Sequence, residues 1–186
     1  METPNVREEL LKEAWGWAKT IIFAVVFALI ITRFIIVNAS VPTGSMLPTI
    51  QINDRLIANR LSYVFRDPQR FDIVVFRRQS SPHGDSTLYI KRIIGLPGET
   101  VNIIDGKVFI DDATEPLRDD FTQGRIFGNN GPFYVPEGHY FVLGDYRENS
   151  TDSRAWTDNP YIDGNNILGR AVFRYFPRFR TFSLQE

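Results

Sequence analysis

The chain has no cysteine and only two histidines, His83 and His139. The first absence removes disulfides, thiolate metal sites and cysteine nucleophiles, while naming no compartment. The second leaves little room for a Ser-His-Asp triad. His83 lies in the turn-like stretch SSPHGD and His139 opens a strand after a turn, and solvated or structural roles suit both. There is no HExxH motif, no glycine-rich phosphate loop and no carboxylate cluster at metal-ligand spacing, so no metal or cofactor is called for. No aspartate sits in a recognisable setting for an aspartic dyad. Basic residues are not in excess: 21 Lys and Arg face 22 Asp and Glu, for a formal net charge of −1. That balance speaks against a nucleic-acid partner.

What is abundant is apolar. From Thr20 to Thr32 the sequence reads TIIFAVVFALIIT, and FIIV follows Arg33. Counted from Trp15 to Val37 the stretch is about 23 residues, or roughly 34 Å of helix, enough for one bilayer crossing. Lys19 and Arg33 stand near its ends, where long cationic side chains reach the headgroups, and Trp15 and Trp17 suit an interfacial belt. A cleaved leader would need a basic start, yet Glu2, Glu8, Glu9 and Glu13 precede the run. Uniform apolarity separates it from a buried helix of a small soluble domain. Arg7, Lys12 and Lys19 lie before the span, whereas no basic residue follows Arg33 until Arg55. The amino terminus is therefore expected in the cytoplasm. The expected division is a cytoplasmic tail over 1–19, an anchor over 20–37 and an extracytoplasmic domain over 38–186.

Beyond Asn38 the helical period gives way to alternation, and an aromatic content of 13% suits strands. Strands are predicted over Arg55–Asn59, Asp72–Phe76, Thr87–Ile94, Thr100–Ile104, Lys107–Ile110, His139–Leu143 and Gly169–Phe176. Asp105-Gly106 is a hairpin turn of the primed type. Pro97-Gly98, Pro136-Glu137-Gly138 and Gly128–Pro132 are further turns, and Arg60–Arg66 is a short helix. The fold class is mainly β, without βαβ alternation.

Three segments are hard to explain as scaffold alone. In Val41-Pro42-Thr43-Gly44-Ser45-Met46-Leu47-Pro48-Thr49, Gly44 lets a ligand approach the backbone and Pro48 extends Leu47. Such a loop can present Ser45 with its N–H free, although a Gly/Pro loop is more often only a loop. In Leu88–Ile94, alternation places Lys91 with Tyr89 and Ile93 on one face. Either Lys91 reaches solvent at the strand edge, or burial lowers its pKa from about 10.4 by roughly two units and makes it a base. The polar run GDYRENSTDSR, from Gly144 to Arg154, reads as an exposed loop unless its opposite charges brace a site, Asp152 with Arg154 for example. Ser150 can orient a neutral lysine amine.

Together these segments resemble the bacterial type I signal peptidases. GSMLPT around Ser45 is similar to the family's nucleophile box, YIKRIIGLPGE to the box holding its lysine, and GDYRENSTDSR to its last signature. Their order, and one preceding membrane helix, match as well. The resemblance implies a catalytic domain of two packed antiparallel sheets behind a single amino-terminal transmembrane helix. It implies Ser45 as nucleophile and Lys91 as general base, with the Ser45 N–H and the Thr43 hydroxyl as oxyanion hole. Ser150 is implied to hold the Lys91 amine, and Asp145, Arg147, Asp152 and Arg154 to brace the loop. Val41, Pro42, Met46, Ile50, Tyr89 and Ile90 match positions lining shallow pockets for small residues. Tyr146 and Glu148 depart from the Asn and Asp common in the family.

The implied activity is a plasma-membrane serine endopeptidase that removes signal peptides from exported preproteins after a small-x-small motif, through an acyl-enzyme and without a cofactor. Its partners would be preprotein signal peptides and the lipid bilayer, with the secretion translocon a further candidate. Extended chain allows at most about 27 Å between Val37 and Ser45, which keeps the site near the outer membrane boundary. The alternatives are a specialised single-substrate peptidase of the same superfamily and a catalytically silent, membrane-tethered binding module. Self-cleaving repressor proteases share the dyad but work in the cytosol, which an anchor opposes.

Overall fold

The structure is a computed structural model describing residues 6–79 and 86–182; His83 lies outside these. The chain divides into two compact units, one ending at Ile36 and one beginning at Val37.

The first unit is a helix, α1, over Val6–Ile30, prolonged by a π-helical turn over Ile31–Ile35. It begins well before the apolar run because Leu, Lys, Glu and Ala, all strong helix formers, precede that run. Hydroxyls inside it are satisfied locally: Thr20 Oγ1 donates to the Gly16 carbonyl at 3.1 Å and Thr32 Oγ1 to that of Ala28 at 2.9 Å. Glu9–Ile35 is long and apolar enough to cross a membrane, and its large side chains, Trp17 and Phe23 among them, are exposed.

The helix stops short of Val37, where the anchor was expected to end. Ile36–Ser40 is instead a strand, β1. Val37 and Ala39 alternate inward and pack with Ala58 and Val75, a two-residue period that hydropathy alone does not separate from the apolar run before it.

In the second unit, β1 is followed by β2 (Arg55–Asn59), β3 (Ile73–Gln79), β4 (Ser86–Gly95), β5 (Thr100–Ile104), β6 (Lys107–Ile110), β7 (Asn130–Tyr134) and β8 (His139–Leu143). Then come β9 (Ile162–Asp163), β10 (Ile167–Phe176) and β11 (Arg180–Thr181). The large sheet runs β1-β2-β10-β3-β4-β8-β9, with β11 paired to β10, and the small sheet runs β6-β5-β7. The strand pairings with a resolved register are antiparallel. Ile94, Phe141 and Leu143 of the large sheet pack on Val101, Ile103 and Val108 of the small one, so the two sheets share a core. Asp105 and Gly106 both have positive φ, as the predicted primed turn requires. The expected helix at Arg60 is one 3-10 turn, Arg60–Tyr63, capped by the Asn59 side chain.

Candidate active site

Strand β4 is central in the large sheet, and two irregular loops meet beside it. The first, between β1 and β2, is closed on itself by Val41 N–H to the Asp54 carbonyl at 3.0 Å and Asn53 N–H to the Val41 carbonyl at 2.8 Å. The second follows β8. They are joined where Tyr146 N–H donates to the Ser45 carbonyl at 3.0 Å. Gly144 makes that closeness possible: a Cβ there would lie 2.5 Å from the Ser45 carbonyl oxygen and 2.2 Å from Ser150 Oγ.

The loops bring Ser45 onto Lys91. The Lys91 Nζ donates to Ser45 Oγ at 2.6 Å, and Lys91 is only 3% exposed. Burial pushes its amine down to about 8, helped by Arg154 and opposed by Asp152 and Asp145. At and above that pH a neutral amine within hydrogen-bond reach of a hydroxyl can take its proton. No hydrogen-bond acceptor among the described residues takes the Ser45 N–H.

Both residues open onto a cleft of about 450 Å³. Val41, Pro42, Met46, Tyr89 and Ile90 line it, and Thr43 lies on its wall. Ile50 does not line it. That residue is fully buried and packs under Val41 and Met46, so it supports the pocket floor; a side chain in a loop that folds back on itself can point either way. Ser40, Thr87, Leu88, Asn149 and Thr151 line the cleft without having been singled out.

Behind Lys91 the charges are ordered. Asp152 accepts from Arg154 Nε at 2.8 Å and Nη2 at 2.7 Å, the pairing expected from sequence. Its Oδ2 also accepts the Gly144 N–H at 3.0 Å, and Arg154 Nη2 donates to the Arg147 carbonyl at 2.8 Å. Asp145 binds Arg92 through Nε at 2.8 Å and Nη2 at 2.6 Å, and Thr49 Oγ1 donates to it at 2.5 Å. Arg147 pairs with Asp119 at 2.7 Å. Arg92, Thr49 and Asp119 escaped the sequence reading; only the position of Arg92 next to Lys91 was a signal. Ser150 Oγ is buried and has no hydrogen-bond partner among the described residues, so the expected bond to the Lys91 amine is not formed. Tyr146 and Glu148, the two departures, face Gly124, and Arg147 N–H and Asp145 O bond the Gln123 backbone at 2.8 Å each.

A mainly β domain with a serine hydroxyl bonded to a buried lysine amine in a cleft has the parts that serine peptidase chemistry uses. The chain belongs to the family described as signal peptidase, peptidase S26, whose pattern matches residues 14–176. It is 43% identical over 164 residues to a signal peptidase I from Leptolyngbya laminosa, covering 86% of this chain and 78% of that one. A probable signal peptidase I-2 from Synechocystis is 37% identical over 95% of this chain and 80% of its own. A probable thylakoidal processing peptidase 2 from Arabidopsis thaliana is 40% identical over 86% of this chain and 43% of its own. A solved signal peptidase I from Enterococcus faecalis aligns over 56% of this chain and 97% of its own, at 30% identity and a TM-score of 0.40. The fold class and family expected from the sequence are borne out.

Proposed function

We propose that the protein is a membrane-anchored signal peptidase in which Ser45 is the nucleophile and Lys91 the general base. The observation that carries this reading is the 2.6 Å hydrogen bond between Lys91 Nζ and Ser45 Oγ at the floor of the cleft. Neutral Lys91 takes the hydroxyl proton as Ser45 Oγ attacks the scissile carbonyl. The Ser45 N–H and the Thr43 hydroxyl stabilise the oxyanion, and the proton passes from Lys91 to the departing amine. The signal peptide remains as an ester on Ser45 until a water, deprotonated by Lys91, releases it as a carboxylic acid and restores the serine. The Asp152–Arg154 and Asp145–Arg92 pairs hold the two loops in place, with Arg147 tied to Asp119.

The substrate is the signal peptide of an exported preprotein, cut after a small-x-small motif. Val41, Pro42, Met46, Tyr89 and Ile90 make the cleft wall apolar, which suits small side chains from an extended peptide. The anchor is the apolar part of α1, from Thr20, with its π turn, in a plasma membrane, with the tail over 1–19 cytoplasmic and the β-rich domain that follows the anchor outside. The lipid bilayer is then a standing partner, and the secretion translocon a transient one.

The test is cleavage of a purified preprotein in detergent by the wild type and by Ser45→Ala. Cleavage after a small-x-small motif, lost in the variant, is expected. Cleavage that survives in Ser45→Ala would remove the nucleophile assignment, and a folded wild type that cuts no preprotein would remove the peptidase reading.

A further inference from the structure

The loop from Arg147 to Thr151 is a wall with two sides. Asn149 and Thr151 line the catalytic cleft. Arg147, Glu148 and Ser150 line a separate, shallow cavity of about 200 Å³, together with Arg125, Asn130 and Arg154 among others. A neighbouring cavity of about 300 Å³ shares Arg125 and Arg147 with it. The reaction proposed above uses neither.

Arg147 is the unusual member. It is 3% exposed, and its Nη1 is engaged by Asp119. Its Nε and Nη2, however, have no hydrogen-bond partner among the described residues. These two nitrogens form one edge of the guanidinium, the fork that matches two oxygens of a carboxylate or phosphate. Leaving such an edge buried and unbonded is costly, and both cavities open onto this side chain. Arg125 is exposed at the mouth and makes no ion pair among the described residues. Arg154 comes with its carboxylate, Asp152. Ser150 Oγ, also without a partner, adds a hydroxyl on the same side.

We propose that this cavity binds a small oxyanion of the phosphate class, gripped by the Nε/Nη2 edge of Arg147 and closed over by Arg125. The cavity has room for one tetrahedral anion, not for a folded partner. The adjoining cavity can take the remainder of a phosphorylated headgroup, so the anion can be free phosphate or part of a lipid. The chain's own competitor is Glu148, which lines the same space. The proposal does not rest on the peptidase reading, since binding and cleavage are measured separately.

The experiment is the arginine side-chain Nε–H NMR spectrum of the full chain in a neutral detergent, at constant ionic strength. Inorganic phosphate is titrated in one arm and micelle-dispersed phosphatidylglycerol in the other. Arg147→Lys identifies the Arg147 signal. A saturable shift of that signal is expected, weakened about fivefold or more in Arg125→Ala. A shift with phosphate identifies a soluble anion, and one with phosphatidylglycerol alone a lipid headgroup. Where Arg147→Lys fails to fold, saturation transfer on the phosphate ³¹P signal with wild type and Arg125→Ala carries the same comparison. No saturable shift overturns the proposal. So does an Arg125→Ala response equal to wild type, which marks a general salt effect. A signal that moves with Glu148→Gln and not with phosphate overturns it too, because the chain's own carboxylate then fills the edge.

Discussion

Lys91 and Arg92 are neighbours on β4, face opposite sides of the sheet, and are each 3% exposed, yet their surroundings differ completely. Arg92 is wrapped: Asp145 takes its Nε and Nη2, the Phe71 carbonyl takes Nη1 at 2.9 Å, and its guanidinium lies 4.0 Å from the centre of the Phe121 ring. Lys91 has no ion pair among the described residues, and its amine is hydrogen-bonded to the neutral Ser45 hydroxyl. Burial penalises a cation in either case. Arginine cannot shed its proton, so it must be paired; lysine can, and burial without a carboxylate in direct contact lowers its pKa, even with Asp152 and Asp145 nearby. One strand therefore carries a cation that stays charged to hold loops together and an amine poised to lose its charge. Withholding a carboxylate from Lys91 is as much part of the site as supplying one to Arg92.

Lys91→Met breaks the poised side and should have the largest effect. A positioned general base contributes about 10²- to 10⁴-fold, and kcat/KM should fall by that much. In the wild type kcat/KM should rise with pH and reach half its maximum near 8, where the buried amine loses its proton. A midpoint far from 8, or full activity in the variant, would remove Lys91 as the base. The same substitution reads out stability. With its folded pKa lowered from 10.5 to about 8, the native state binds fewer protons than the unfolded chain between those values. Wild-type stability from this group therefore rises with pH across that window, and below it is lower by about 3 kcal/mol. The stability difference between wild type and Lys91→Met should shift in this way between pH 7 and pH 10.5; denaturant curves with a constant difference would show that Lys91 is not held neutral by burial.

Asp145→Ala breaks the paired side. It leaves a guanidinium buried without its carboxylate, which typically costs about 3–5 kcal/mol. Denaturant unfolding at pH 7 should show that loss, with turnover falling as the two loops loosen. A cost under about 1 kcal/mol would mean that water reaches Arg92 and that the contrast with Lys91 is not one of buried groups.

This asymmetry also marks how far the sequence could be read. Ser45 and Lys91 were legible because the segments around them carry long local patterns, and Asp152–Arg154 because the partners are two residues apart. The Asp145–Arg92 and Arg147–Asp119 pairs were not, since each depends on which elements the fold brings together. In the scaffold, Asp105-Gly106 was legible from turn chemistry. Strand β7 was hidden because Gly131-Pro132 reads as a break, yet β7 is an edge strand of the small sheet, where proline is tolerated. Ile36 and Val37 merged with the anchor because a buried strand and a membrane helix are equally apolar over so few residues. Strands β9 and β11 have two residues each, too few for a period to show.

Thr49→Val is the finest probe of the comparison. Its hydroxyl donates to Asp145 Oδ2 at 2.5 Å, and valine nearly preserves the shape while removing that donor. The Arg92 fork on Asp145 stays, so the carboxylate keeps its main partner and the loss should be about 1 kcal/mol. The pH midpoint of kcat/KM should stay near the wild-type value of about 8, because Thr49 acts on the paired side of β4 and not on Lys91. Denaturant unfolding and a pH profile on the same preparation separate the two readouts. A midpoint that moved with Thr49→Val would mean that the two faces of β4 are electrostatically one site, and that Asp145 governs the lysine as directly as it governs the arginine.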